Sequence, residues 1–154
     1  MSDYDIRIVP VADVLDLRTA LLLRHQPGSP TATGDDHPAA FHVAAYYDDV
    51  QVAVGSIHPE PMPDGYKTDS WRIHDLAVDH GHRGIGVGAM QVERCLEHAV
   101  GFEARVVWCF APAGAFGFFE RYGFQRTGDP IDATTGPQYL LFAQLGPLRR
   151  SWSI

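Results

Sequence analysis

A glycine-rich turn is the part of this chain whose residue types and spacing suggest chemistry most directly. It runs Arg83-Gly84-Ile85-Gly86-Val87-Gly88, between a strand-like run and a helical pattern. The first N–H groups of a helix have no partner within the helix and carry partial positive charge, so they bind phosphate oxygens. Glycines let such oxygens approach closely and permit positive φ. The turn therefore predicts a site for a phosphate-bearing ligand.

A histidine and an aspartate, His74 and Asp75, stand in the strand-like run before this turn. An ordinary histidine, with a pKa near ~6.5, suits a general base that removes a proton at neutral pH. Strict strand alternation predicts one face made of Arg72, His74, Leu76 and Val78, and a second made of Ile73, Asp75 and Ala77. We take His74 as the first candidate base and Asp75 as the second. A hydrogen-bonded structural role for His74 stays open.

Two further histidines, His80 and His82, follow at a spacing that raises the question of a metal site. No cysteine or carboxylate completes a ligand set with them at a characteristic spacing. We therefore predict no metal and expect solvent-exposed turn histidines.

Length, charge and cysteine content limit the class of protein. The 154 residues predict a single domain over residues 1–154. The formal net charge of -7 argues against a nucleic-acid partner, which needs clustered cations. Cys95 and Cys109 make no disulfide framework, and we expect both in the core rather than as nucleophiles. Without a leader pattern or an apolar run of membrane-spanning length, we expect a cytoplasmic protein with no membrane partner.

Strand-like and helical patterns alternate along the chain and would position these residues. An amphipathic helix is predicted by Val14, Leu17, Leu21 and Leu22, set among Asp13, Asp16 and Arg18. A second helix, ended by Gly101, is predicted by Ala89, Val92, Leu96 and Ala99. We predict strands at residues 6–9, 41–47, 50–57, 71–78, 104–110 and 138–145, a short helix at 114–121, and loops at 26–39 and 59–68. This alternation predicts a mixed sheet of the α/β or α+β class.

Two motifs, in order, make residues 71–124 resemble the GNAT superfamily of N-acetyltransferases. The pyrophosphate motif of that superfamily, Gln/Arg-x-x-Gly-x-Gly/Ala, is matched by Arg83, Gly86 and Gly88. Its later signature, Ala-x-x-Phe-Tyr-x-x-x-Gly-Phe, is matched at Ala115, Phe118, Gly123 and Phe124. Two motifs together are far more specific than either one.

The resemblance implies a GNAT-like α/β (α+β) single domain, with a central mixed sheet of six to seven strands, a splayed cleft and about four flanking helices. It implies acetyl-CoA as co-substrate and direct attack by an amine in a ternary complex. A bulge in the strand would offer an N–H to the thioester oxygen, consistent with the need for a preorganised donor in acyl transfer. The implied cofactor-binding residues are Leu76, Ala77, Val78, Arg83, Gly84, Ile85, Gly86, Val87, Gly88, Ala89, Ala115, Phe118 and Phe119. In the arylalkylamine branch, a histidine at the position of His74 is associated with proton removal through water.

Departures from the family pattern affect the proton donor. Phe119 replaces the tyrosine that often protonates the leaving thiolate, and Pro112 replaces an asparagine that often helps to hold the cofactor. Free thiols titrate near pKa ~8.5, so a dedicated acid is dispensable. Tyr122 and Tyr139 are substitute candidates, and the helical spacing of Tyr122 from Phe118 also fits a core aromatic.

Two other functions compete with acetyl transfer. Gly84-x-Gly86-x-x-Ala89 formally fits a dinucleotide fingerprint, with Glu103 as the ribose-binding acid of an oxidoreductase. A protein of the GNAT fold that binds acyl-CoA without turnover is the other, and the changes at Phe119 and Pro112 support it.

The acceptor is left open by the sequence. In the family, acceptor pockets are made by loops that correspond here to residues 26–39 and 128–137. Their acids, Asp35, Asp36, Asp129 and Asp132, would suit a primary amine or polyamine, or would be solvated loop residues. We expect a small-molecule or peptide amine as acceptor, and formation of a homodimer stays open.

Overall fold

The computed structural model describes residues 3–22, 29–63, 69–133 and 136–145. Within these ranges, seven strands form one sheet and three α-helices flank it, one fewer than the four or so expected. The strands are β1 Tyr4–Ile8, β2 Phe41–Tyr47, β3 Val50–Pro59, β4 Ser70–Val78, β5 Val106–Ala111, β6 Gln125–Ala133 and β7 Gly136–Gln144. The helices are α1 Leu15–Leu22, α2 Val87–Gly101 and α3 Phe116–Glu120.

The sheet has the order β1-β2-β3-β4-β5-β7-β6. Every neighbouring pair is antiparallel except β4 and β5, which are parallel and are connected through α2. The mixed sheet and its seven strands confirm the predicted fold class. Asp48 and Asp49 make the two-residue hairpin turn between β2 and β3, and both adopt the positive φ that such a turn requires.

Helix α2 forms the main core with one face of the sheet. Its residues Val92, Cys95, Leu96 and Ala99 are completely buried, and they repeat at the spacing that keeps side chains on one helical face. They pack against strand residues that include Ile57, Trp71 and Ile73. On the opposite face, α1 and the turn before it pack Val14 against Ala44, Val54 and Ala77.

The end of α2 differs from the prediction. Gly101 is the last helical residue rather than the stop, and the left-handed position falls on Glu103, with φ of 61°. The N–H of Ala104 bonds to the carbonyl of Ala99, and the N–H of Glu103 bonds to that of Val100. This pattern is a Schellman motif, so the helix ends through backbone hydrogen bonds with a glutamate where glycine is usual.

The prediction of a loop at residues 128–137 is wrong, because most of this segment belongs to β6 and β7. Gly128, Asp129 and Pro130 are turn formers, yet β6 is an edge strand, where a proline leaves no ladder hydrogen bond unmade. A register shift between Thr127 and Ile131 accommodates them. Among the helices of the described residues, none is long and apolar enough to cross a membrane.

Candidate active site

A cleft opens in the middle of the sheet because β4 and β5 stay paired over only three residues each. Pairing runs from Ser70 with Val106 to Arg72 with Trp108, and the two parallel strands then diverge. The resulting cavity of about 1020 Å³ is lined by the second half of β4, the glycine turn, the end of β5 and α3. The splayed cleft predicted from the family resemblance is therefore present.

A β-bulge interrupts β4 at the wall of this cleft. His74 pairs with Ser56 and Ala77 pairs with Val54, so β4 has one more residue than β3 over this stretch. Asp75 carries the distortion, with a left-handed φ of 53°. Gly55 faces the bulge, where a Cβ would lie 2.8 Å from Cδ1 of Leu76.

The bulge overturns the predicted alternation of β4. His74 and Asp75 lie on the same side of the sheet, where their side chains meet. Leu76 packs with the α2 core on the other face, and Val78 packs there against Val87 and Met90. One inserted residue changes the face of every residue after it, which is why period-two reasoning failed here.

His74 lies between two carboxylates. Its Nδ1 is 2.9 Å from Oδ2 of Asp75, and its Nε2 is 3.9 Å from Oδ1 of Asp35. The side chain of His74 is 7% exposed, and its Nε2 has no hydrogen-bond partner within the described ranges. The tautomer with the proton on Nδ1 satisfies Asp75 and leaves a lone pair on Nε2.

A buried arginine, Arg18 of α1, fixes both carboxylates. Its guanidinium binds Asp35 through two hydrogen bonds of 2.7 and 2.9 Å, and its Nε lies 3.5 Å from Oδ2 of Asp75. It also donates to the hydroxyl of Ser56, which bonds to Nδ1 of His42. This Arg18 network connects α1, the loop before β2, and strands β2 to β4.

Charge and burial oppose each other in this network. Burial acts to raise the pKa of Asp35, but hydrogen bonds from Arg18 and from the N–H of Ala32 outweigh it, so the pKa lies below its ordinary value. Burial also acts to raise the pKa of Asp75, and the hydrogen bond with His74 and nearby positive charge lower it overall. Both carboxylates are therefore ionised at neutral pH.

Sequence reasoning missed the Arg18 network. Arg18 was assigned to the polar side of α1, yet it is 1% exposed. The available signal was its spacing, since Arg18 lies four residues after the buried Val14 and four before Leu22, on one helical face. Asp35 is buried rather than a solvated loop acid, whereas Asp36, Asp129 and Asp132 are exposed.

The glycine turn lies at the mouth of the cleft. Gly84 and Gly86 have φ of 79° and 95°, and a Cβ at either would meet nothing within 4 Å among the described residues. The Nε of Arg83 donates to the carbonyl of Val78 at 2.8 Å. Ile85 is exposed and Val87 is buried in the core, so these two contribute backbone to the turn rather than cleft lining. The cleft is lined by the other predicted residues of this region: Leu76, Ala77, Val78, Arg83, Gly84, Gly86, Gly88 and Ala89.

Helix α3 brings Phe118 and Phe119 to the cleft, and Ala115 just before α3 and Pro112 just after β5 line it too. The two tyrosine candidates lie elsewhere. Tyr122 donates to the carbonyl of Ala89 at 3.4 Å, and burial, with the charge of Glu93, raises its pKa. Tyr139 packs against Phe116, and neither tyrosine lines the cleft.

The cysteines and remaining histidines have defined surroundings. Cys109 lines the cleft and Cys95 lies in the core of α2, and burial raises the pKa of each thiol to about 12. His80 is exposed, whereas Nδ1 of His82 is 2.8 Å from the hydroxyl of Tyr4. Within the described part of the chain, no group of three or more His, Cys, Asp or Glu side chains is placed to hold a metal ion.

The dinucleotide alternative assigned the ribose-binding role to Glu103. That residue is exposed in the turn that ends α2 and does not line the cleft. It precedes β5, whereas the acid of a dinucleotide site follows its strand.

Comparison with known proteins gives consistent results. The sequence model of the Acetyltransferase (GNAT) family matches residues 12–124. The Bacillus subtilis (strain 168) protein named "Uncharacterized N-acetyltransferase YitI" is 22% identical over 129 residues, which are 83% of this chain and 87% of that protein.

Solved structures share the fold at low identity. Escherichia coli ElaA aligns with a TM-score of 0.75 at 20% identity, over 93% of this chain and 99% of ElaA. An aminoglycoside 6'-N-acetyltransferase complexed with coenzyme A aligns with a TM-score of 0.72 at 16% identity, over 93% of this chain and 98% of the other.

Proposed function

This chain belongs to the acetyltransferase (GNAT) family, whose members transfer acyl groups from coenzyme A thioesters to amines, and we propose that it acetylates a primary amine by direct attack in a ternary complex with acetyl-CoA. The observation that carries the proposal is the cleft between β4 and β5, with the Asp75 bulge on its wall and the glycine turn at its mouth.

The residues present fit coenzyme A. Gly84 and Gly86 expose bare backbone at the start of a 15-residue helix, which suits a pyrophosphate. Beyond Arg72, β4 has no partner strand on the β5 side among the described strands, so the backbone of Leu76 and Ala77 can pair with the pantetheine amides, while the carbonyl of Val78 accepts from Nε of Arg83. Acetyl-CoA supplies the acetyl group as an activated thioester.

Direct attack is favoured over an acyl-enzyme by the state of Cys109. This thiol is the cysteine that lines the cleft within the described residues. With its pKa raised to about 12 by burial, almost none of it is thiolate at neutral pH, and the thiolate is the nucleophile. In a ternary complex the amine attacks acetyl-CoA directly, so no acetylation of Cys109 is needed.

Proton removal from the amine falls to the His74 and Asp75 pair. Nε2 of His74 is buried and faces Asp35, so the amine meets this pair at Asp75, whose carboxylate lines the cleft and lies 2.9 Å from Nδ1 of His74. The ammonium gives one proton to this pair, the neutral nitrogen forms its bond to the acyl carbon, and the C–S bond breaks with its electron pair on sulfur. The second proton lost by nitrogen balances the proton that the thiolate takes up from solvent.

The leaving thiolate needs no tyrosine in this scheme. Phe119 lines the cleft where the family usually has a tyrosine, and Tyr122 and Tyr139 point to other partners. Because a free thiol has a pKa near ~8.5, its thiolate is an adequate leaving group near neutral pH. The two unpaired, buried cysteines suit the reducing cytoplasm in which we propose that the enzyme works.

The experiment is a thiol-release assay with acetyl-CoA and a set of primary amines, with the amide product measured by mass spectrometry. We expect thiol and amide in equal amounts. Gly88→Leu should lower kcat/KM at least about tenfold, because a Cβ there already lies 3.6 Å from Phe118 and Val78 and the rest of the side chain enters the cleft. Gly101→Leu, at the exposed end of the same helix, is the matched control and should match the wild type.

Two results would contradict the proposal in different ways. Binding of acetyl-CoA without thiol release from any amine would favour the non-catalytic acyl-CoA-binding alternative. Absence of acetyl-CoA binding would show that the cleft is not an acetyl-CoA site.

A further inference from the structure

We propose that the carboxylate of Asp75 binds the ammonium group of the acceptor, and that the acceptor is a monoamine whose apolar body rests against Leu21 and Leu22. This inference rests on the proposed function and names the substrate class of the same cleft.

The two oxygens of Asp75 have different surroundings. Oδ2 faces inward, 2.9 Å from Nδ1 of His74 and 3.5 Å from Nε of Arg18. Oδ1 accepts no hydrogen bond from the described residues, and the side chain is 30% exposed where it lines the cleft. One oxygen is therefore fixed by the protein, and the other is left for a ligand that donates hydrogen bonds.

The left-handed backbone conformation of Asp75 costs folding free energy. A left-handed backbone disfavours most side chains by about 1–2 kcal/mol, although aspartate tolerates it better than most. The lowered pKa of Asp75 keeps it ionised at neutral pH. A fixed negative charge on the wall of a cleft attracts a cationic amine.

Charge is distributed unevenly along the cleft. Asp75 is its one carboxylate within the described residues, and it lies at the bulge. The two arginines of the cleft lie toward its other end: Arg83 is in the glycine turn, and Arg121 stacks over Phe118 beside Gly88. An anionic coenzyme suits the arginine end, and a single cation suits the Asp75 end.

The apolar lining lies next to Asp75. Leu21 and Leu22 follow Arg18 by about one turn of α1, and Arg18 itself reaches Asp75. Both leucines are half-buried, pack beside Ala77 and line the cleft, as does Phe110 from β5. A hydrocarbon body would cover these side chains once the ammonium is bound.

This arrangement discriminates against other amine classes. A carboxylate next to the amine, as in an α-amino acid, would lie close to Asp75 and be repelled by it. A second ammonium, as in a diamine or aminoglycoside, would be placed against the leucines without a counter-charge in the described lining.

The test uses acceptors of one carbon skeleton with the thiol-release assay: n-hexylamine, 1,6-diaminohexane and norleucine, with ethylamine as the amine that lacks the apolar body. We expect kcat/KM for n-hexylamine to exceed each of the others at least about tenfold. Equal or better turnover of norleucine or the diamine would overturn the inference while leaving acyl transfer established.

A variant locates the effect at Asp75. Asp75→Asn keeps the shape of the side chain and removes its charge, and we expect it to raise KM for n-hexylamine at least about tenfold with the Kd for coenzyme A unchanged. Asp36→Asn, at an exposed neighbour of the Arg18 network, is the control and should leave KM unchanged. An unchanged KM in Asp75→Asn would show that Asp75 does not bind the ammonium group.

Binding separates failure of this inference from failure of the proposed function. Calorimetry of n-hexylamine against the complex with coenzyme A does not require turnover. Asp75-dependent binding without thiol release would support the site and contradict catalysis, whereas binding that is equal in wild type and Asp75→Asn would contradict the site.

Discussion

Oδ2 of Asp75 lies 2.9 Å from Nδ1 of His74, the residue before it in β4, because the left-handed backbone at Asp75 brings both side chains to one side of the sheet. Successive residues of a regular strand point to opposite faces and cannot make this contact. The bulge therefore does two things at once: it joins a histidine to a carboxylate, and it directs that carboxylate into the cleft.

We predict that Asp75→Gly is folded about as stably as the wild type, whereas Asp75→Ala is not. Glycine relieves about 1 kcal/mol of left-handed backbone strain, which offsets about 1 kcal/mol for the lost hydrogen bond. Alanine loses the same bond and keeps the strain, so its free energy of unfolding should fall by about 1–2 kcal/mol. Urea unfolding measures both, and equal stability of the two variants would contradict the bulge conformation.

The parts of the site that were predicted from sequence are local ones. The glycine turn and the later aromatic signature are short motifs, and the splayed cleft was implied by the family resemblance that these motifs carry. The Arg18 network could not be predicted in the same way, because Arg18 and Asp35 are joined by the folding of a long loop onto α1. The bulge at Asp75 was implied by resemblance, but the residue that carries it was not marked by a glycine.

Strand β6 shows a different limit. The family resemblance implied a loop over this segment, which contains the turn formers Gly128, Asp129 and Pro130. The strand forms because β7 offers a complete partner and because its outer edge faces no further strand in the described sheet. Tertiary pairing thus makes a strand of a segment that the resemblance implied to be a loop.

We predict that Arg18→Met destabilises the protein by about 3–5 kcal/mol, because it leaves the carboxylate of Asp35 buried and ionised without its partner. The double variant Arg18→Met with Asp35→Leu should lose less than Arg18→Met alone, since it removes both charges. Free energies of unfolding from urea titration at pH 7 give the comparison. A double variant that is less stable than Arg18→Met would show that the unpaired charge of Asp35 is not the cause of the lost stability.

The stability of the protein should fall as the pH drops below about 6.5. Burial lowers the pKa of His58, as does the nearby charge of His74, and burial also lowers the pKa of His42. The unfolded chain therefore takes up these protons at a higher pH than the folded protein does. The stabilisation is complete above the ordinary histidine pKa of ~6.5 and is lost as the pH falls through it.

His58→Gln tests this dependence. We expect its unfolding free energy to change less between pH 7 and pH 5 than that of the wild type, because one buried titrating group is gone. His80→Gln, at an exposed histidine, should keep the wild-type slope. A slope in His58→Gln equal to that of the wild type would exclude His58 as a source.

We predict that Gly86→Ala weakens coenzyme A binding at least about tenfold, while the protein stays folded. Gly86 has a φ of 95°, which alanine adopts only with strain, although no neighbour would block its Cβ. Gly81→Ala is the matched control, since its Cβ also has open space and its φ is not left-handed. Calorimetry with coenzyme A measures both, and equal affinity in the two variants would show that the backbone shape of the turn is not needed.

Cys109→Ala should keep turnover within about threefold of the wild type. Direct attack needs no enzyme thiol, and the raised pKa of Cys109 leaves little thiolate to react. Cys95→Ala, which removes a thiol from the core beneath α2, controls for the loss of a buried sulfur. Intact-protein mass spectrometry after mixing with acetyl-CoA should show no acetylated enzyme that disappears when amine is added. The opposite result would be an acetylated wild-type enzyme, with both the acetylation and the turnover lost in Cys109→Ala. That result would establish a covalent route through Cys109 in place of direct attack.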